Sequence, residues 1–113
     1  MIRLLVMYNL PDGADEGEFL DWRLGSHQQS NAGLPLMLRT DFGRVVGAWP
    51  DGVAPRFRFV TTLDWPDMAA FESAFYESDV QSGLLQNIKR LGDHEYSICE
   101  ILASSAAVEA HAA

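Results

Sequence analysis

His27 closes the stretch FLDWRLGSH, and its side chain is the one best suited to moving a proton. An imidazole titrates near neutral pH, so it can take up and return a proton without a cofactor. On a wheel turning about 100° per residue, with Phe19 at the origin, His27 falls near 80° and Leu24 near 140°. Arg23 falls at about 40° and Trp22 at about 300°. The ring is therefore expected on the apolar side of a helix. A guanidinium one turn earlier could hold a carboxylate or oxyanion through two hydrogen bonds. The alternatives are a core histidine bonded to a backbone carbonyl and an arginine snorkelling to a surface acid.

Further candidates lie elsewhere in the chain. Trp22, Phe59, Trp65 and Phe71 could line a pocket for a flat substrate, or be plain core. Tyr8 and Tyr96 sit in strand-like stretches, where the ring packs and the hydroxyl can reach a cavity. In DHEYSICEIL, Glu95, Ser97 and Cys99 share one face, and His94, Tyr96, Ile98 and Glu100 the other. Glu95 or Glu100 could be a second acid–base group or orient His27; otherwise they are solvated strand-end carboxylates. Cys99 has no histidine or helix start beside it in the sequence, which favours a buried spacer over a nucleophile. The histidines at 27, 94 and 111 lack ligand spacing, so neither a metal nor a cofactor is expected.

These residues need a scaffold. IRLLVMYN (2–9) reads as a strand, stopped by the turn LPDG. ADEGEFLDWRLGSHQQSN reads as one amphipathic helix with acidic residues at its start, ended by Gly33 and Pro35. MLRTDFGRVVGA (37–48) predicts a strand bent or bulged at Gly43, followed by the connection WPDGVAP. RFRFVTTLDW alternates, with Phe57, Phe59, Thr61, Leu63 and Trp65 facing one way. Pro66 then opens a second helix whose inward stripe is Met68, Phe71 and Phe75. Ser78 and Gln81 resemble a capping box for a further helix with a buried stripe of Val80, Leu84, Ile88 and Leu91. DHEYSICEIL is the last strand.

The order β-α-β-β-α-β predicts an α+β, ferredoxin-like fold: a four-stranded antiparallel sheet with helices on one face. A domain over 1–103 would be followed by a small-residue tail, 104–113. Strand one carries Leu5 and Met7 on the face that no helix should cover. A second copy packed sheet to sheet would cover it, giving a two-fold homodimer.

The 113 residues are enough for one domain, with 48% hydrophobic and 21% charged residues. A formal charge of −8 disfavours phosphate backbones and anionic lipid, so neither nucleic acid nor membrane is an expected partner. A single cysteine, no long apolar run and no signal-like start fit a cytoplasmic protein.

The segments MIRLLVMYNLP, EFLDWRLGSH, DFGRVVG, FRFVTTLDWPDMAAFESAF and ESDVQSGLLQNI together resemble the EthD-type dimeric α+β barrels over about residues 1–102. The aromatic-rich first helix closing on a histidine, here Phe19, Trp22 and His27, is the most specific element. The resemblance implies a homodimer with a pocket in each subunit between sheet and helices. Its superfamily includes cofactor-free oxygenases, cyclases, isomerases, decarboxylase- and dehydratase-like tailoring enzymes and some haem proteins, and EthD itself resembles an accessory protein of ether degradation. The expectation is a cofactor-independent enzyme tailoring an aromatic, polyketide- or indole-type small molecule by His27-assisted proton transfer. A cofactor-free oxygenase and a non-catalytic accessory or ligand-binding protein are the alternatives. Tyr8, Trp22, Arg23, Phe59, Glu95 and Tyr96 are the substrate-contact candidates.

Overall fold

A computed structural model describes residues 1–107. Its strands are β1 (Ile2–Tyr8), β2 (Arg39–Arg44), β3 (Phe59–Trp65) and β4 (His94–Glu100). They form one antiparallel sheet in the order β2-β3-β1-β4, the ferredoxin-like arrangement. Ile2, Leu4, Val6 and Tyr8 of β1 alternate with half-buried residues, because successive side chains point to opposite faces. Their face meets Phe59, Leu63 and Trp65 of β3 and Ala70, Phe71, Ala74 and Phe75 of the helical layer to make the core.

The bare face of the sheet is mixed. Leu5, Met7 and Val60 form a half-buried apolar strip with Thr62, Ser97 and Cys99 beside it in register. Arg3 donates to both oxygens of Asp64 across β1 and β3, at 2.8 and 3.1 Å, which closes one end of the strip with a charge pair. Glu95 lies next to Met7 on the same face.

The first helical region departs from the expected single helix. It consists of α1 (Glu16–Trp22), a kinked segment (Arg23–His27) and α2 (Gln28–Ala32). Asp15 caps α1 by accepting from the Glu18 N–H, and Gly25 breaks the run with non-helical angles (φ −92°, ψ −109°). Gly25 kinks the chain between two helical stretches, so a regular wheel loses its phase there. Leu24, placed inward by the wheel, is exposed, and Arg23 is 2% exposed. The arginine does not snorkel to a surface acid.

Local chemistry moved other boundaries too. β2 runs without a bulge, with Gly43 opposite Val60 in an unbroken register. Pro66 precedes α3 (Met68–Phe75), whose cap is Asp67, accepting from the Ala70 N–H at 2.8 Å. Met68 is exposed, while Phe71 and Phe75 are buried. Glu77, not Ser78, caps α4 (Ser78–Ile88) by accepting from the N–H groups of Asp79 and Val80. Gln81 instead donates to the Phe75 carbonyl, joining α4 to α3. The expected tail has no regular structure as far as residue 107; the rest of it, with His111, lies outside the described residues.

Glu16 fastens α1 to the sheet by accepting from Arg58 at 3.0 and 3.3 Å, with Arg44 at 3.6 Å. At the same end of the sheet, just past Tyr8, Asn9 accepts from the Arg58 N–H and donates to the Arg56 carbonyl. A side chain at Gly92 would stand 2.7 Å from the Leu10 carbonyl oxygen, so glycine lets β4 start close beside β1. The segment Arg23–His27 is joined to the sheet by Arg23, which donates to the Thr61 hydroxyl in the middle of β3.

Candidate active site

Between the sheet and the helices lies a cavity of about 310 Å³. Leu4, Val6, Tyr8, Thr61, Leu63 and Tyr96 supply its floor from three strands. Phe19, Trp22, Arg23 and His27 form one wall, and Ser30, Asn31 and Leu34 continue it. Phe75, Asp79, Val80, Leu84, Asn87 and Leu91 close the opposite side. Val80, Leu84 and Leu91 of the stripe read from the sequence are thus half-buried because they face a cavity rather than packed side chains; Ile88 is half-buried outside it. A mostly apolar concavity with a few convergent polar groups is the usual form of a small-molecule site.

His27 lies flat against Trp22, with ring centroids 4.3 Å apart and planes at 23°. The Arg90 guanidinium sits over the same indole at 4.5 Å. Burial of the imidazole, then the positive charges of Arg23 and Arg90, lower its pKa from 6.5 to about 4. The ring is therefore neutral at neutral pH, with one nitrogen free to accept a proton. This corrects the expectation of titration near neutrality: desolvation and two cations act together against the imidazolium.

Arg23 lies deeper. It donates to the Gln28 amide oxygen at 2.6 Å and the Thr61 hydroxyl at 3.2 Å, and its guanidinium stacks on Phe42 at 4.2 Å. Burial lowers its pKa, partly offset by the Tyr8 phenol. Tyr96 is pushed up to about 12 by burial first and by Tyr8 second, so its hydroxyl remains a proton donor.

The structure thus brings His27, Arg23, Trp22, Tyr8 and Tyr96 to one cavity. It places two other candidates elsewhere. Phe59 is fully buried among Tyr8, Phe19 and Phe42 and does not line the cavity. Glu95 is exposed on the bare face of the sheet, 4.0 Å from Arg56, and cannot orient His27 from there. Trp65 and Phe71 are core, the indole donating to the Pro35 carbonyl at 3.0 Å. Among the described residues, no three His, Cys, Asp or Glu side chains gather as a metal-ligand set.

Sequence reasoning missed Thr61, Asn31 and Asn87 as cavity residues. Thr61 had a signal, a hydroxyl between Phe59 and Leu63 on an inward face. Asn87 had one as well, three residues past Leu84 on an apolar stripe.

No family model matches the sequence, and no curated protein does either. Solved structures do match. An EthD-family protein of Bacillus halodurans superposes with a TM-score of 0.74 at 17% identity, covering 90% of this chain and 99% of its own. The fold is that of the EthD and dimeric ferredoxin-like proteins. Hydroxynitrile lyase from Passiflora edulis superposes at 0.75 with 13% identity, over 93% of this chain and 96% of its own. SnoaB, a cofactor-independent oxygenase from Streptomyces nogalater, superposes at 0.66 with 14% identity, over 91% and 94%. At these identities the shared property is the fold, so any function must be argued from the cavity. Among the described residues, no helix is long and apolar enough to cross a membrane.

Proposed function

We propose that this protein is a cofactor-independent enzyme that moves a proton on an aromatic, polyketide- or indole-type small molecule, with His27 as the base. The carrying observation is a neutral imidazole facing an aromatic-walled cavity beside a buried guanidinium. The indole of Trp22 offers a flat surface for a ring. Tyr8, Tyr96 and Thr61 supply hydroxyls on the cavity floor that can bond a carbonyl oxygen.

The chemistry follows from the charges. A base with a pKa of about 4 is weak, so it needs an acidic C–H or an enolate stabilised as it forms. Arg23 provides that stabilisation: the positive charge that weakens the base also stabilises negative charge developing on the substrate oxygen. His27 takes the proton, holds it while the carbon skeleton rearranges or loses a group, and returns it. Cyclisation, isomerisation and dehydration all begin with this step; water addition runs the dehydration in reverse, with the proton taken from water, and decarboxylation uses only the delivery of a proton to the carbanion that loss of CO2 leaves. A hydroxynitrile lyase on the same fold supports an enzyme, and a cofactor-independent oxygenase supports one that works without a cofactor.

The working unit in this reading is a homodimer in which Leu5, Met7 and Val60 pack against their counterparts. Proton exchange tests the chemistry. Wild-type protein in D2O, with aryl ketones of graded C–H acidity, should speed loss of the α-proton NMR signal above the buffer rate. No acceleration across the series would overturn the reading, and oxygen uptake in its place would favour an oxygenase.

A further inference from the structure

Arg23 differs from the paired arginines of this chain. Arg3, Arg39, Arg44, Arg56 and Arg58 each lie within 4.0 Å of an Asp or Glu, and all five keep contact with water. Arg23 is 2% exposed, yet no carboxylate pairs with it among the described residues. Its hydrogen-bond partners, Gln28 and Thr61, are neutral. A guanidinium offers five N–H donors, and these two bonds, with the neutral Tyr8 phenol as a third neighbour, still leave others free. Asp79, the cavity's acidic side chain, is exposed on the far wall and makes no ion pair with Arg23.

A desolvated cation with only neutral partners is costly, and one in a ligand-sized cavity is a ready counter-charge for an anion. We infer that the natural ligand carries a permanent anionic group, a carboxylate on an aromatic or polyketide-type skeleton, that docks against Arg23 beside Thr61 and Tyr8. An oxyanion formed only during reaction would leave the guanidinium uncompensated in the bound ground state. A resident carboxylate compensates it from the moment of binding. The hydroxyls support this choice, since Tyr96 and Thr61 can both donate to the anion. The apolar remainder, including Leu63, Leu84 and Trp22, takes the ring system. Phe42, stacked on the guanidinium, holds its plane while the free N–H groups engage the ligand.

This inference rests on the proposed function for the location of the site, but its test is separate. Isothermal titration calorimetry with naphthoate and naphthamide compares two probes of the same shape that differ in charge. Wild-type protein should bind naphthoate at least about 10-fold more tightly, as expected where a buried charge gains a partner. Arg23→Met, of similar length and uncharged, should remove or reverse that preference, Arg23→Lys should keep part of it, and His27→Asn should retain it. Equal binding of the two probes by wild type, or no naphthoate binding at millimolar concentration, would overturn the inference even if Arg23→Met failed to fold. A preference undiminished in folded Arg23→Met would overturn it as well. His27-dependent exchange of ketone protons without a carboxylate preference would overturn this inference and leave the proposed function standing. A carboxylate preference without exchange would do the reverse.

Discussion

The imidazole of His27 and the indole of Trp22 are stacked, 4.3 Å between centroids, and the imidazole in that stack is uncharged at neutral pH. An aromatic face attracts a cation, so stacking alone would favour the imidazolium. Burial and the charges of Arg23 and Arg90 outweigh it. The outcome is a base already free of its proton at neutral pH.

The pH dependence follows with a definite sign. The folded ring titrates at about 4 and the unfolded one at 6.5. As pH falls from 6.5 towards 4, the unfolded chain binds a proton that the folded chain refuses, so stability is lost over that window. Denaturant melts of wild type and His27→Asn should diverge there, the mutant losing less stability. Parallel curves would mean that His27 titrates normally.

A carboxylate ligand should change that titration. Naphthoate beside Arg23 would offset the field that weakens His27, and its pKa should rise above 4. Naphthamide only excludes water and should leave the value unchanged or lower it. The other titratable or charged groups facing His27 or the cavity, Arg90 over Trp22 and Tyr8, Tyr96 and Asp79 on the cavity wall, are common to both complexes. NMR of the imidazole protons gives the comparison, and identical shifts with both ligands would contradict it.

Arg23 should matter more for binding than for folding. Replacing a buried charge that has only neutral partners by an apolar chain of similar volume is often neutral or stabilising, so Arg23→Met should lie within about 1 kcal/mol of wild type or above it. Arg23→Ala adds a void and should cost about 2–4 kcal/mol. Thermal melts separate the two. A large loss in Arg23→Met would make the arginine a structural post.

Much of the fold was legible because alternation is robust. Ile2, Leu4, Val6 and Tyr8 on β1, and Phe59 to Trp65 on β3, identify the sheet and its inner face from period two alone. The cavity was harder to read. Arg23 and His27 were legible as neighbours on the inward side, but the kink at Gly25 broke the regular wheel and Leu24, expected inward, is exposed. Phe59 and Trp22 are alike in sequence, both aromatic at inward positions. Packing against Phe42 and Phe19 made Phe59 core, while Trp22 kept an open side. Caps shifted as well, because the Glu77 carboxylate reached two N–H groups that the Ser78 hydroxyl was expected to serve.

The bare sheet face predicts assembly. Light scattering after size exclusion should give twice the 12.5 kDa chain mass. Leu5→Asp, in the middle of the apolar strip, should yield a folded monomer. A wild-type monomer at micromolar concentration would contradict the paired-sheet reading.

The most direct measurement is the ratio of exchange rates between wild type and His27→Asn. Asparagine keeps a polar group of similar reach but cannot act as a base. With melting temperature and naphthoate affinity near wild type, the mutant should lose about 10²–10⁴-fold of the ketone proton-exchange rate, the usual contribution of a positioned general base. Undiminished exchange in the folded mutant would contradict the account, leaving His27 as a packed ring on Trp22.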